Sequence, residues 1–169
     1  MRLTPAFCGF AALAFAQGAA AVTLAPISFS PEFEAELTED FGVREGEYLR
    51  ADVEDAVRSA LARRGVQTSG GNGTIEIVIV DADPNRPTMQ QLGDRPGLDP
   101  VRSVSVGGAE LRAVLRDANG QVLTEVEHER YNHSLQDLIA PPTTWGEARR
   151  AIRQFANKVA DAYIAHSGR

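Results

Sequence analysis

The chain has 169 residues, a formal net charge of −6, and one cysteine, Cys8. An acidic surface of this kind repels nucleic acid and anionic lipid head groups. A length in this range suits one folded domain, and no internal repeat or long low-complexity tract divides the chain.

Residues 1–21 have the pattern of an export leader: Arg2 and the amino terminus as the positive end, an apolar stretch from Ala6 to Phe15, then small and polar residues. Ala19-Ala20-Ala21 supplies the small residues a signal peptidase needs, so the mature chain is expected to start at Val22, with Ala14-Phe15-Ala16 as the second choice. An uncleaved membrane anchor is the competing reading, opposed by much Ala and Gly and little Leu. Cleavage removes Arg2 and Cys8, leaving 16 basic side chains against 23 acidic ones and no thiol. That excludes disulfides, thiolate metal sites and a cysteine nucleophile in the mature protein. A lipid-bearing cysteine would end the apolar stretch, whereas Cys8 follows Phe7 near its start. The expected form is periplasmic, without stable membrane insertion after cleavage.

The rest, 22–169, reads as one α/β domain of 148 residues, enough to bury roughly 70% of its unfolded surface. Thr23 to Phe29 suits a short first strand. Ser30-Pro31-Glu32 is a helix start, with a capping hydroxyl, a proline that loses nothing there and a carboxylate at the positive dipole end. Phe33, Leu37 and Phe41 give that piece an apolar face, with Glu32, Glu36, Glu39 and Asp40 on a solvated one. Gly42 and Gly46 bracket a turn, and Tyr48 to Arg64 forms a long helix on the stripe Leu49, Val53, Val57 and Leu61. Gly70-Gly71-Asn72-Gly73 precedes a strand, where a phosphate loop would precede a helix, so it reads as a turn. The β-branched run Thr74 to Asp81 reads as a central strand.

From 82 to 102 the chain carries Pro84, Pro87, Pro96 and Pro100, which excludes regular structure over most of the span. Loops of this length are uncommon in compact domains and are usually either functional or disordered. Alternation resumes after Gly107-Gly108, with Ala109, Leu111, Ala113 and Leu115 on one face, and Asp117-Ala118-Asn119-Gly120 makes a hairpin turn to a strand from Gln121 to Tyr131. Thr144-Trp145-Gly146-Glu147 matches a capping box for a last helix faced by Ile152, Phe155, Val159 and Tyr163. The order β-α-β-β-β-α predicts a two-layer α/β sandwich: a mostly antiparallel sheet of about four strands with both long helices on one face.

The candidate site is the long loop. Asn85, Arg86, Thr88, Gln91, Arg95 and Arg102 place guanidinium forks among amide and hydroxyl groups, suited to a carboxylate, a phosphate or a partner backbone. The competing reading is a proline-stiffened crossover with solvated arginines. His128 and His133, with Glu129 and Asp137, form the best metal-ligand set, but a five-residue spacing puts the two imidazoles on opposite faces of a strand. Ser28, Ser103, Ser105 and Ser134 lack a nucleophile elbow or recognisable base. Gly107-Gly108 permits close approach of a ligand or marks strand entry. Trp145 is expected to pack the last helix onto the sheet.

The leader, the core strand ending Val80-Asp81-Ala82-Asp83, the Gly107-Gly108-Ala109 strand with its Asp117–Gly120 hairpin, and the Trp145-led helix resemble small uncharacterised bacterial envelope domains. The outline is similar to domains of lipoproteins that activate cell-wall synthases or assemble curli secretion pores. The resemblance implies an envelope setting and carries over no functional residue, and the missing lipid-bearing cysteine departs from those lipoproteins. The expectation is a non-enzymatic binding or assembly module without a cofactor, engaging an envelope protein through the loop or a sheet edge. The alternatives are a small-molecule or anion binder using the 82–102 loop, and a metal-assisted or acid/base hydrolase.

Overall fold

The computed structural model describes residues 21–71, 73–137 and 143–167. The expected leader, with Cys8, lies outside them except for Ala21. Three strands form the body of the sheet: β3 (Gly73–Asp83), β4 (Gly108–Arg116) and β5 (Val122–Tyr131), paired antiparallel in sequence order. Two short strands, β1 (Val22–Leu24) and β2 (Ser28–Phe29), run parallel to β3 along its other side. The single first strand expected from Thr23 to Phe29 is therefore two pieces. Pro26 lies between them and has no N–H to contribute to a ladder.

Alternation places Ile75, Ile77 and Ile79 of β3 and Leu111, Ala113 and Leu115 of β4 on one buried face. The two long helices, α2 (Val43–Ala62) and α4 (Gly146–Ser167), cover that face and leave the other bare. Leu49, Val53, Val57 and Leu61 from α2 meet Ile152, Phe155 and Val159 from α4 in one core. Ion pairs along the seam, Arg149 with Asp52 at 2.8 Å and Arg64 with Asp161 at 2.7 Å, fix the two helices side by side. This is the predicted two-layer arrangement. Truncating a core residue such as Phe155 to alanine costs about 3–5 kcal/mol.

Between β2 and α2 the chain forms α1 (Pro31–Glu36), continuing as a wide π-type turn over Leu37–Phe41. Ser30 caps α1, its hydroxyl oxygen accepting from Phe33 N–H at 3.1 Å. Phe29, Phe33, Phe41 and Trp145 form a chain of ring contacts with centroids 5.6–6.3 Å apart, so Trp145 seats α4 against the amino-terminal helices. Its indole N–H donates to Glu45 Oε2 at 2.6 Å.

Two local expectations change. Gly42 does turn the chain, with φ 104°. Gly46, however, lies inside α2, where a side chain would come within 3.0 Å of Leu37 and Phe29. The helix therefore begins five residues earlier than Tyr48. Glycine is kept there for close packing, not for a turn. At α4, the Glu147 N–H is taken by Asn85 Oδ1 at 2.8 Å, and the Glu147 carboxylate pairs with Arg130 and Arg150. The Glu147 groups of the expected Thr144–Glu147 capping box are thus taken up by Asn85, Arg130 and Arg150.

Candidate functional site

At Asp83 the chain leaves β3, and the next two dozen residues build a closed structure on the end of the sheet. Asn85 is its anchor and is 0% exposed. Its N–H donates to Thr144 O at 2.6 Å, its carbonyl accepts from Ser105 N–H at 3.0 Å, and its side-chain amide donates to Ser105 O at 3.2 Å. The Ser105 hydroxyl donates to Pro84 O at 2.6 Å. Both ends of the loop and the start of α4 are therefore tied at one residue. Gly107 packs directly on the Asn85 side chain, and Gly108 enters β4 beneath the Arg130 carbonyl and the Tyr131 ring. Both glycines serve internal close approach at strand entry.

Within the loop sits a short helix, α3 (Met89–Asp94), which the proline density concealed. Thr88 and Gln91 form a reciprocal capping box: Gln91 N–H donates to Thr88 Oγ1, and Thr88 N–H donates to Gln91 Oε1. The Gln91 amide then donates to Asp40 Oδ2 at 2.7 Å, and Arg95 pairs with Asp40 Oδ1. Beyond α3, Asp99 Oδ1 accepts from the N–H groups of Val101 and Arg102, each at 2.7 Å. These two bonds, assisted by the Arg86 cation, hold the Asp99 carboxyl below its ordinary pKa. Arg86 donates to the carbonyls of Pro100 and Val101 at 2.9 and 3.0 Å. Order in this loop thus comes from its own side-chain bonds together with ties to Asp40, Thr144 and Glu147.

Under the loop is an open cleft of about 660 Å³, in the range that receives small ligands or a partner side chain. Of the six residues expected to form a site, Arg86, Gln91, Arg95 and Arg102 line it, while Asn85 and Thr88 serve the loop's architecture. Arg95 is engaged by Asp40, and Arg86 by the loop carbonyls. The Arg102 guanidinium has no hydrogen bond or ion pair among the described residues. Asp40, Asp83 and Ser103 also line the cleft. Asp40 was read from sequence as part of a solvated helix face, and no local signal links it to Arg95. Burial, and then the neighbouring Asp81 charge, raise the Asp83 carboxyl above its ordinary pKa. Exposed apolar side chains stand close by, Val101 at 69% and Met89 at 79% exposure.

The histidine pair is not assembled in this way. His128 points to the helix-covered face, with Nε2 3.2 Å from Gln154 Oε1 and Nδ1 3.0 Å from Lys158 Nζ. Burial, then the Lys158 cation, lower its pKa. His133 lies beyond β5, exposed, and the side chain of Asp137 lies outside the described residues. Among the described residues no three His, Cys, Asp or Glu side chains are grouped to hold a metal ion. The hydroxyls of Ser28 and Ser105 donate to backbone carbonyls, and those of Ser103 and Ser134 accept from backbone N–H groups.

A mostly antiparallel sheet with two long helices on one face and an ordered loop at its end defines a two-layer α/β domain with a loop-built cleft. The chain belongs to the family described as protein of unknown function (DUF3313), whose model matches residues 9–159. A hypothetical protein of Chlamydia trachomatis shares this fold, with TM-score 0.55 and 12% identity over 88% of this chain and 99% of that one. A protein of Xanthomonas campestris assigned to the family model DUF330 gives TM-score 0.49 and 10% identity, covering 88% of this chain and 86% of that one. A minor lipoprotein of Acinetobacter baumannii gives 0.39 and 12%, covering 89% and 94%. No curated protein matches the chain.

Proposed function

We propose that this protein is an exported, non-enzymatic binding or assembly module of the bacterial envelope, and that it engages an envelope protein through the cleft under the loop between β3 and β4. One observation carries the reading. A loop tied down by its own bonds and by Asp40, Thr144 and Glu147 presents a guanidinium, Arg102, with no partner among the described residues, next to the exposed Val101. Arginine beside apolar surface on a pre-organised frame is the composition that anchors protein interfaces. The leader-like residues 1–21 support the envelope setting. Among the described residues, no helix is long and apolar enough to cross a membrane.

The test is a photo-crosslinking residue at Val101 in the full chain, expressed in its native host. A single discrete adduct that disappears with Arg102→Glu is the expected result; the same adduct with Arg102→Glu in place removes the proposal. The free guanidinium also favours a second reading, a small anionic ligand held by Arg102. In that case carboxylate or phosphate compounds raise the melting temperature of the purified protein, and Arg102→Ala abolishes the rise.

A further inference from the structure

The two edges of the sheet are built differently. The edge beside β3 is blunted: β1 has three residues, β2 has two, and Pro26 separates them. The opposite edge is β5, ten residues long, pairing only with β4 among the described residues. Ten residues is the upper end of ordinary strand length. The one register irregularity of this pair lies at its start, between Leu115 and Arg116. Beyond it, β5 offers a row of outward-directed backbone groups that a further strand could take up.

Alternation puts Glu125, Glu127 and Glu129 on the bare face of β5, all exposed. Their partners across the ladder are Val114, Arg112 and Glu110. Only Glu127 is paired, with Arg112 at 3.3 Å. Glu129 stands opposite another carboxylate, an unfavourable arrangement, and neither it nor Glu125 has an ion-pair partner among the described residues. Antiparallel pairing of β5 with a second copy would bring these glutamates against one another, which disfavours a dimer by this edge.

We propose that β5 is a docking edge for an extended segment of another protein carrying Lys or Arg at every second residue, added as the next strand of the sheet. The main-chain bonds supply the attachment, and the alternating cations face Glu125, Glu127 and Glu129. The inference rests on the strand edge alone and stands or falls separately from the cleft.

The experiment titrates the purified full chain with a synthetic peptide of about ten residues, lysine alternating with valine or threonine, and with a peptide of the same composition lacking the alternation. Hydrogen exchange locates the contact. Binding of the alternating peptide at least about tenfold tighter than the scrambled one, with slowed exchange confined to β5 and its flank, is the expected result. Glu125→Lys with Glu129→Lys should lose about tenfold for the lysine peptide and accept an alternating glutamate peptide instead. The neutral pair Glu125→Gln and Glu129→Gln, with Trp145 fluorescence as a check on the fold, should show an intermediate loss. Equal affinity for the two peptides, protection elsewhere than β5, indifference to both double substitutions, or a β5-mediated dimer of the free protein overturns the proposal.

Discussion

The side-chain oxygen of Asn85 accepts the backbone N–H of Glu147 at 2.8 Å, joining residues 62 positions apart and making the loop after β3 the cap of the last helix. Asn85→Ala leaves the buried Glu147 N–H unsatisfied and takes the Asn85 amide from the half-buried Ser105 carbonyl. The expected cost is about 2–4 kcal/mol, read as a lower denaturant midpoint with unchanged slope. A loss within about 0.5 kcal/mol would show that Asn85 is not the anchor described.

Gly107 faces the same side chain, where an added Cβ would lie 2.6 Å from Asn85 Nδ2. Gly107→Ala should therefore destabilise by about 1–3 kcal/mol in the native chain. In the Asn85→Ala background the penalty should fall below about 1 kcal/mol, because the clashing atoms are gone. A double-mutant cycle measures the coupling, and strict additivity refutes the contact.

The cleft arginines should separate stability from binding. Arg95→Ala breaks an exposed pair with Asp40 and should cost no more than about 1 kcal/mol. The Arg102 side chain has no partner among the described residues, so Arg102→Glu should leave the melting temperature unchanged while removing the Val101 crosslink.

His128 has a lowered pKa because of burial and the Lys158 cation. The unfolded chain then binds more protons than the folded one below the ordinary histidine value, so this group's contribution is present above pH ~6.5 and is lost as pH falls. Glu36 and Asp83 behave oppositely. Their raised values mean that the folded state holds protons longer, so ionisation costs stability as pH rises through the carboxylate range. Lys158→Met should raise the His128 pKa in an NMR titration. Asp83→Asn should stabilise the protein at pH 7, with the gain vanishing in acid.

The proposed export would place a structural constraint on any leader cleavage. Val22 is 0% exposed and bonds Gln67 O, while the Ala21 carbonyl accepts from the Tyr163 hydroxyl at 3.1 Å. Cleavage after Ala21 would remove that contact and put a charged amine beside the core. If the proposed leader is removed, the intact mass of the mature protein should show Ala21 retained, with the cut upstream. A mature chain beginning at Val22 would contradict this.

The sequence by itself determined the layers. The period of Leu49, Val53, Val57 and Leu61, the β-branched run from Ile75 to Val80, and the Asp117–Gly120 turn each carry their own local signal. Side-chain period and turn chemistry are properties of neighbouring residues, so these elements could be read in place. The tertiary structure decided the site. Asp40 reaches Arg95 and Gln91, and Asn85 reaches Glu147, across separations that no local pattern encodes. The capped helix α3 was legible in Thr88 and Gln91 but hidden by the prolines around it. Gly46 looked like a turn because glycine has one sequence appearance for two physical uses, positive φ and close packing. Only the positions of Leu37 and Phe29 chose between them.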